Sequence, residues 1–368
     1  MNKAHGGVGL AHITKGKFEQ TKIPLPPLNE QKRIVTKIEE LTDRTQKAKE
    51  ALDSIPQLCD RFRQSVLAAA FRGDLTKEWR EQNPDVEHAS VLLKRTSEKL
   101  GQDFNLINQK INEDKKTLHH SWAWAKLKLF TQNIQAGKNF SCLEVPVTDN
   151  TVGIVKISAV TWGKFDPTET KTVIDDSKID SNVFIRKGDF LISRANTIEL
   201  VGASVVVDEI NYSIMLSDKV WRVKFLEINQ EFINFYLKSI DGRKEIESRA
   251  TGNQVSMRNI SQNAFKEITI AIPSLKEQKE IVSKIQTLFK IIDNIEKQHK
   301  QAAEKLETLN QSILAKAFRG ELVPQDPNDE PASLLLERIK SEQEKLTPSK
   351  PKSKRTTKPK KKPNAIES

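Results

Sequence analysis

The sequence predicts an α+β protein, with one mixed α/β domain flanked by two long helices that pair as an antiparallel coiled coil. Three observations carry that prediction. One segment is written twice at a constant offset of 247 residues. Both copies hold a heptad spacing of apolar residues. The stretch between them switches to short β-rich runs bounded by turn signals. A repeat of this length has to be read first, because each copy is one supersecondary unit that needs a neighbour to bury its apolar face.

The first copy opens with Pro26, Glu30, Gln31, Lys32, Ile34, Val35, Lys37, Ile38 and Leu41. The second repeats it as Pro273, Glu277, Gln278, Lys279, Ile281, Val282, Lys284, Ile285 and Leu288. The copies close alike, at Gln64-Ser65, Ala70-Phe71-Arg72-Gly73 and Leu75, and at Gln311-Ser312, Ala317-Phe318-Arg319-Gly320 and Leu322. From Ile34 the seam runs Ile34, Ile38, Leu41, Thr45, Ala48, Leu52, Ile55, Cys59, Phe62, Val66. From Ile281 it runs Ile281, Ile285, Leu288, Ile292, Ile295, His299, Ala302, Leu306, Leu309, Ile313. Steps of four and three sustained this long are the coiled-coil pattern. Each arm should span roughly 50 Å at the rise of an α-helix. Pro56 should kink the first arm, since its ring clashes with the preceding turn. Cys59 and His299 sit on the seam and read as packed residues. Gly73 and Gly320 stand where a left-handed residue ends a helix at little cost. The segment between the arms must leave one and return to the other, so antiparallel arms are the simplest packing. A further helix should follow each arm, from Ala89 to about Leu118 and from Ala332 to about Leu346.

From Ser121 to about Ile272 the pattern is strand-like: Val152–Ile157, Phe190–Ser193, Ala203–Val207 and Val220–Val223, with a turn at Arg186-Lys187-Gly188-Asp189. A helix is expected from Gln230 to about Ser239, carrying Phe232, Phe235, Tyr236 and Leu237.

Composition excludes several classes. There is no long apolar run, so no transmembrane helix is expected, and Met1–Gly7 does not read as a signal peptide. Two cysteines far apart, Cys59 and Cys142, fit a reducing cytosol and give no zinc pattern. Net charge is +11, but residues 347–368 hold eight Lys and Arg against Glu367 alone. That Lys/Pro/Ser/Thr-rich tail is expected to be disordered, and reads equally as a solubilising end or as a salt-sensitive attractor of phosphates. Residues 121–265 hold 18 Lys and Arg against 17 Asp and Glu, so binding of nucleic acid there needs charge sorted onto one face. No P-loop is present: Gly16-Lys17 is followed by Phe18. No Asn/Asp-Pro-Pro-aromatic motif of an amino-methyltransferase occurs, and Pro84–His88 lacks the lysine of a PD-ExK nuclease. The chain reads as a non-enzyme.

The run Pro24–Val35, its second copy Ile272–Val282, and the closing Ala70–Leu75 and Ala317–Leu322 resemble the conserved helices of specificity (S) subunits of type I restriction–modification systems. Trp122-Ala123-Trp124-Ala125-Lys126-Leu127 resembles the opening of a target-recognition domain, and Lys187–Arg194 its central turn and strand. The resemblance covers residues 18 to 346. It implies that target-recognition domains are held apart by antiparallel helices, that each domain reads half of a split DNA site, and that the helices dock methyltransferase subunits. It also implies a subunit with no catalytic residue, cofactor or metal, serving adenine methylation by modification subunits and cleavage by an ATP-dependent restriction subunit. The expected organisation is a remnant of a first recognition domain over 1–17, conserved helical region 1 over 18–120, a target-recognition domain over 121–265, conserved helical region 2 over 266–346 and the tail over 347–368. Ile13 and Phe18 align with Ile260 and Phe265 at the same offset, which is why 1–17 reads as such a remnant. The expected partners are double-stranded DNA, methyltransferase subunits, the restriction subunit through the complex, and either a second copy or a separate first recognition domain. No membrane is expected, and the compartment is cytoplasmic.

Base readout needs bidentate polar side chains among phosphate contacts. Three loops qualify: Gln135, Lys138 and Asn139; Arg194, Asn196 and Thr197; and Asn253, Gln254, Arg258 and Asn259. The basic stretch around Arg243, Lys244, Arg249 and Arg258 is the candidate for phosphate contact. Phe71, Arg72, Phe318 and Arg319 are candidates for partner binding, or else cap and pack the helix ends. Two readings stay open: a DNA-specificity subunit, and a coiled-coil adaptor or remnant that binds methyltransferase subunits without selecting DNA sites.

Overall fold

The computed structural model describes residues 14–103, 118–254 and 257–346. The remnant before Thr14, residues 104–117, the basic tail from 347, and the side chains of Asn253 and Gln254 lie outside the described residues. In chain order the helices are α1 (Lys15–Glu19), α2 (Leu28–Asp53), α3 (Ile55–Arg72), α4 (Lys77–Gln82), α5 (Ala89–Lys99), α6 (Ser158–Thr161), α7 (Gln230–Lys238), α8 (Ile240–Glu247), α9 (Gln262–Lys266), α10 (Leu275–Arg319) and α11 (Ala332–Leu346). The strands are β1 (Ala123–Lys126), β2 (Thr131–Ala136), β3 (Cys142–Leu143), β4 (Val152–Val155), β5 (Thr170–Val173), β6 (Phe190–Ser193), β7 (Ala195–Asn196), β8 (Ser204–Val206), β9 (Ser213–Met215), β10 (Val220–Phe225), β11 (Thr251–Gln254), β12 (Met257–Asn259) and β13 (Thr269–Ile272).

The chain divides into two compact units, residues 1–54 with 299–368, and residues 55–298. In the first unit the end of α10 runs antiparallel to α2. Leu41, Thr45 and Ala48 line a cavity together with Leu306, Leu309 and Ile313. Glu30 and Ile34, at the start of α2, share a groove with Ala317 and Phe318, at the end of α10. Arg33 pairs with Asp329 at 2.6 Å. Gln31 donates from Nε2 to the Pro26 carbonyl at 2.8 Å, closing the turn left open by Pro26 and Pro27. Gly320 takes φ +71°, and the Glu321 N–H reaches the Lys316 carbonyl at 2.9 Å, so the helix ends in a left-handed cap.

The first arm is broken rather than kinked. α2 stops at Asp53, and Ser54 precedes α3. Pro56 has no N–H to offer the Leu52 carbonyl and its ring crowds that oxygen. In the second unit α3 runs antiparallel to residues 275–298 of α10. Arg63 bonds Glu296 at 2.6 Å and Asp293 at 2.9 Å, with its guanidinium 5.9 Å from the Phe289 ring centroid. Cys59, Val66, Ile281, Ile285 and Ile292 are buried, whereas the seam residues Phe62 and Ile295 are exposed. The heptad there is completed by the ion pairs of Arg63 rather than by continuous apolar contact. His299, expected to be packed, is half-buried. α5 is shorter than expected, ending at Lys99 where Gly101 turns the chain at φ +62°.

The middle segment closes on itself, because β1 pairs with β13 from Ala123 opposite Ile272 to Lys126 opposite Thr269. Its main sheet has the order β2-β10-β6-β8, and a second four-stranded sheet has the order β3-β5-β4-β9. β6 is buried along its whole length. Phe190 and Ile192 join the core with Trp221, Phe232 and α3 residues, while Leu191 joins a second core with Val155, Val205 and Ile214. A strand covered on both faces reads as a continuous apolar run, which is why Phe190-Leu191-Ile192 stood out. α7 starts where the Asn229 side chain accepts from the Glu231 and Phe232 N–H groups.

Burial pushes the Lys238 amine, at the end of α7, down to about 8, with Glu231 and Asp208 opposing the shift. The group is neutralised more readily in the folded chain. Below pH 8 both states are protonated and the burial cost is present in full; between 8 and 10.5 the unfolded chain holds more protons, so stability rises with pH. The expected rise is on the order of 1 kcal/mol, reduced by screening because the side chain is only half-buried. Urea titrations at pH 7.5 and 10 should detect it, and Lys238→Met should abolish the difference.

Candidate functional site

β7 continues β6 through Arg194, whose N–H donates to the Lys219 carbonyl at 2.9 Å. β12 lies antiparallel to β7, with Asn196 opposite Arg258 and Ala195 opposite Asn259. The Ile260 N–H reaches the Arg194 carbonyl at 2.9 Å. β11 extends this sheet, with Thr251 opposite Asn259. Two of the three candidate loops, some 60 residues apart in the chain, thus form one three-stranded sheet, β11-β12-β7.

The charges on this sheet are unbalanced. Arg194 and Arg258 make no ion pair among the described residues, and the Nε of each is buried without an acceptor. Arg258 is steadied by donating to the Gly252 carbonyl at 2.6 Å. Asn196 Oδ1 accepts from the Thr197 N–H at 2.9 Å, which fixes the carboxamide at the strand end. A guanidinium without a carboxylate partner keeps its full charge for a ligand, and it presents the fork that reads guanine or phosphate.

Three other arginines of the domain are committed, whereas the exposed Arg186, in the turn before β6, has no side-chain partner among the described residues. Arg249, expected to contact phosphate, pairs with Glu245 at 3.1 Å. Arg243 pairs with Glu247 at 3.6 Å and donates to the carbonyls of Val201 and Ile198 at 2.7 and 3.0 Å. Arg222 bonds Asp189 and the Phe184 carbonyl at 2.9 and 2.7 Å. Gln135 sits opposite Arg222 on β2 and accepts from its guanidinium, so this glutamine braces the main sheet. Lys138 and Asn139 follow it as exposed residues. Lys219 was missed by sequence reasoning: a lone lysine in a turn carries no signal until its carbonyl is seen to hold Arg194.

Of the partner candidates, Phe71 is 8% exposed and its ring lies 5.2 Å from those of both Phe232 and Tyr236. It is a packing residue, because α7 covers it. Phe318, its counterpart in the second copy, is 61% exposed. Arg72 pairs with Asp74 at 2.8 Å, and Arg319 with Glu321 at 2.9 Å, so both copies tie this arginine to the acid two residues on.

The middle segment is anchored by a buried socket that was not anticipated. Glu277 is fully buried. Its Oε1 accepts from Arg80 at 2.6 Å and from the Thr76 hydroxyl at 2.7 Å, and its Oε2 accepts from the Trp122 indole at 3.0 Å. The adjacent Gln278 accepts from the Asn229 N–H at 2.9 Å. Spacing alone could flag Glu277 as repeated, but not as paired.

Among the described residues no group of three or more His, Cys, Asp or Glu could hold a metal ion. No described helix is long and apolar enough to cross a membrane.

Residues 1–57 and 148–305 match the sequence model of the type I restriction modification DNA specificity domain. The type I restriction enzyme EcoBI specificity subunit of Escherichia coli is 30% identical over 362 residues, covering 93% of this chain and 69% of that protein. The EcoKI specificity subunit of Escherichia coli K12 is 29% identical over 356 residues, covering 93% and 68%. This chain therefore spans about two thirds of the length of those relatives. A chain from a solved structure of type I R-M complex assembly and conformational transition superposes with a TM-score of 0.54 at 18% identity, covering 86% of this chain and 66% of that one. That likeness supports the fold alone.

Proposed function

Since the chain belongs to the type I restriction–modification DNA specificity family, we propose that it selects the DNA sequence for a type I restriction–modification complex. Its middle domain reads one half-site, and its helices dock methyltransferase subunits, through which a restriction subunit joins the complex. The subunit contributes no catalytic group of its own and works in the cytoplasm on double-stranded DNA.

The observation that carries this reading is the sorting of arginines. Arg222, Arg243 and Arg249 are neutralised by Asp189, Glu247 and Glu245; of the three arginines without an ion pair among the described residues, Arg194 and Arg258 come together at one sheet, and only Arg186 lies elsewhere. Among 18 cations and 17 anions this leaves local positive charge where the polar side chains Asn196, Thr197 and Asn259 lie. Phosphate contacts from such a face position the protein, and the asparagines suit adenine edges. An adaptor that only held methyltransferases would have no use for two unpaired arginines, so the site-selecting reading is favoured. Arg72, Phe318 and Arg319 remain proposed contacts for protein partners.

The test is co-expression with a cognate methyltransferase subunit and mapping of adenine methylation across host DNA by single-molecule sequencing. A methylated sequence motif is expected. A stable complex that methylates no motif would instead establish the adaptor. Mirrored half-sites would mean that two copies act together, and unlike half-sites that a different recognition domain supplies the second half.

A further inference from the structure

Trp162 is the most exposed large apolar side chain among the described residues, at 75%. The other four tryptophans are buried or half-buried. A single exposed apolar residue is common on a folded surface and needs no cause. This one differs in how it is held. It follows α6, whose Ala159 and Val160 are fully buried. On one side of it the Thr161 hydroxyl donates to the Ile157 carbonyl at 2.8 Å. On the other, Gly163 takes φ +89° and its carbonyl accepts from the Lys238 amine at 3.0 Å. The Asp166 N–H then reaches the Ala159 carbonyl at 3.0 Å and closes the loop. Both neighbours of the indole are pinned to the domain, so the ring is offered to solvent from a fixed backbone. A contact held on rigid support loses less to ordering when it binds.

The place is as specific as the hold. Asn196 Nδ2 donates to Thr161 Oγ1 at 3.5 Å, so the turn stands against the end of β7. Asn196 lies directly opposite Arg258 on β12. Directly opposed residues project on the same face of a sheet, so Trp162 borders the face that carries Asn196 and Arg258. Lys164, two residues beyond, is exposed and makes no ion pair among the described residues. The acids of the recess behind the turn, Glu199 and Glu247, are both opposed by Arg243. A protein partner would have to bring carboxylates to this cationic surround. A DNA duplex brings phosphates and, between them, a stack that suits a flat ring.

We propose that Trp162 is a wedge of the DNA interface, entering a base step at the edge of the half-site read beside Asn196 and Arg258. The inference rests on the DNA-specificity reading and adds a contact of another kind. Arginine and asparagine read base edges through paired hydrogen bonds, whereas an indole offers one N–H and two apolar faces. Lying on a sugar covers one face of the ring, and entering a step covers both. Steps differ in how readily they open, and the pyrimidine–purine steps TA and CA/TG open most easily. Trp162 therefore selects for such a step without a hydrogen bond to either base pair.

The test titrates the complex of this chain and its cognate methyltransferase subunit with duplexes carrying the methylated motif. 2-Aminopurine replaces, in turn, each adenine of either strand within the motif and in the pairs beside it. Binding by the native chain should raise the fluorescence at one position, the mark of an opened step, and Trp162→Ala should abolish the rise. Trp162→Ala should weaken binding on the order of tenfold with the salt slope unchanged, since no phosphate contact is lost. Trp162→Phe should restore most of the affinity and of the signal. Replacing the pyrimidine–purine step should weaken binding by the native chain and leave Trp162→Ala indifferent. Thermal midpoints of the three chains should agree, because the side chain is exposed; a lower midpoint for Trp162→Ala would mark a packing residue and overturn the proposal. Unaltered affinity and fluorescence in Trp162→Ala would overturn this proposal alone, as would a loss of affinity with no 2-aminopurine response in the native chain. Weaker assembly of Trp162→Ala with the methyltransferase subunit in the absence of DNA would overturn it too, by making a protein the occupant. A native complex that selects no sequence would sink the DNA-specificity reading and this wedge together.

Discussion

Replacing Arg194 or Arg258 by alanine is expected to weaken binding to a duplex carrying the methylated motif by about 1–3 kcal/mol each. Both guanidiniums lie at the β7–β12 pair without a carboxylate partner, so removal deletes uncompensated charge, together with the one hydrogen bond from Arg258 to the Gly252 carbonyl. The two outcomes should be separable by salt. If an arginine contacts phosphate, its loss should weaken all duplexes alike and reduce the salt slope by about one. If it reads a base, the slope should hold and preference should relax at one position of the motif. Arg249→Ala serves as the control. Its partner Glu245 is 3.1 Å away, so the change should alter stability slightly and DNA affinity little. Binding isotherms across a salt series would decide, and unchanged affinity in the Arg194→Ala, Arg258→Ala double variant would exclude this sheet from the interface.

Glu277→Ala is expected to destabilise the second unit by about 3–5 kcal/mol, the usual consequence of removing one partner from a buried ion pair. The substitution strands the Arg80 guanidinium, only 10% exposed, and leaves the Trp122 indole and the Thr76 hydroxyl without their acceptor. Trp122 opens the segment whose first strand pairs with β13, so loss of the socket should loosen the hold on the middle segment as well as lower its stability. Urea denaturation followed by tryptophan fluorescence would measure both. Glu30→Ala, the same change in the other copy, should cost far less, because its Oε1 has no donor to strand. Similar losses for the two variants would show that identical sequence, rather than differing cover, governs these glutamates.

Features that depend on neighbours in the chain were legible from the residues. The repeat, the heptad arms, the left-handed Gly73 and Gly320, and the helix carrying Phe232 and Tyr236 each follow from spacing or turn chemistry that is read along the chain. The run Phe190-Leu191-Ile192-Ser193 was readable as a strand for the same reason, although its two-sided burial was not. The candidate site was legible only as a choice of loops. Glu245 stands four residues before Arg249, a spacing that favours an ion pair, but nothing adjacent to Arg194 says that it has no such partner.

The sequence by itself determined the repeated arms, the strand-rich middle and the family, because periodicity and spacing are properties of the chain alone. Tertiary structure alone decided which members of matching pairs are covered, paired or exposed. Phe71 differs from Phe318 because α7 packs on one of them, and Glu277 differs from Glu30 because donors some 155 to 200 residues away reach only one of the two carboxylates. Such contacts are set by which segments the fold brings within about 3 Å, a distance at which a hydrogen bond forms or fails.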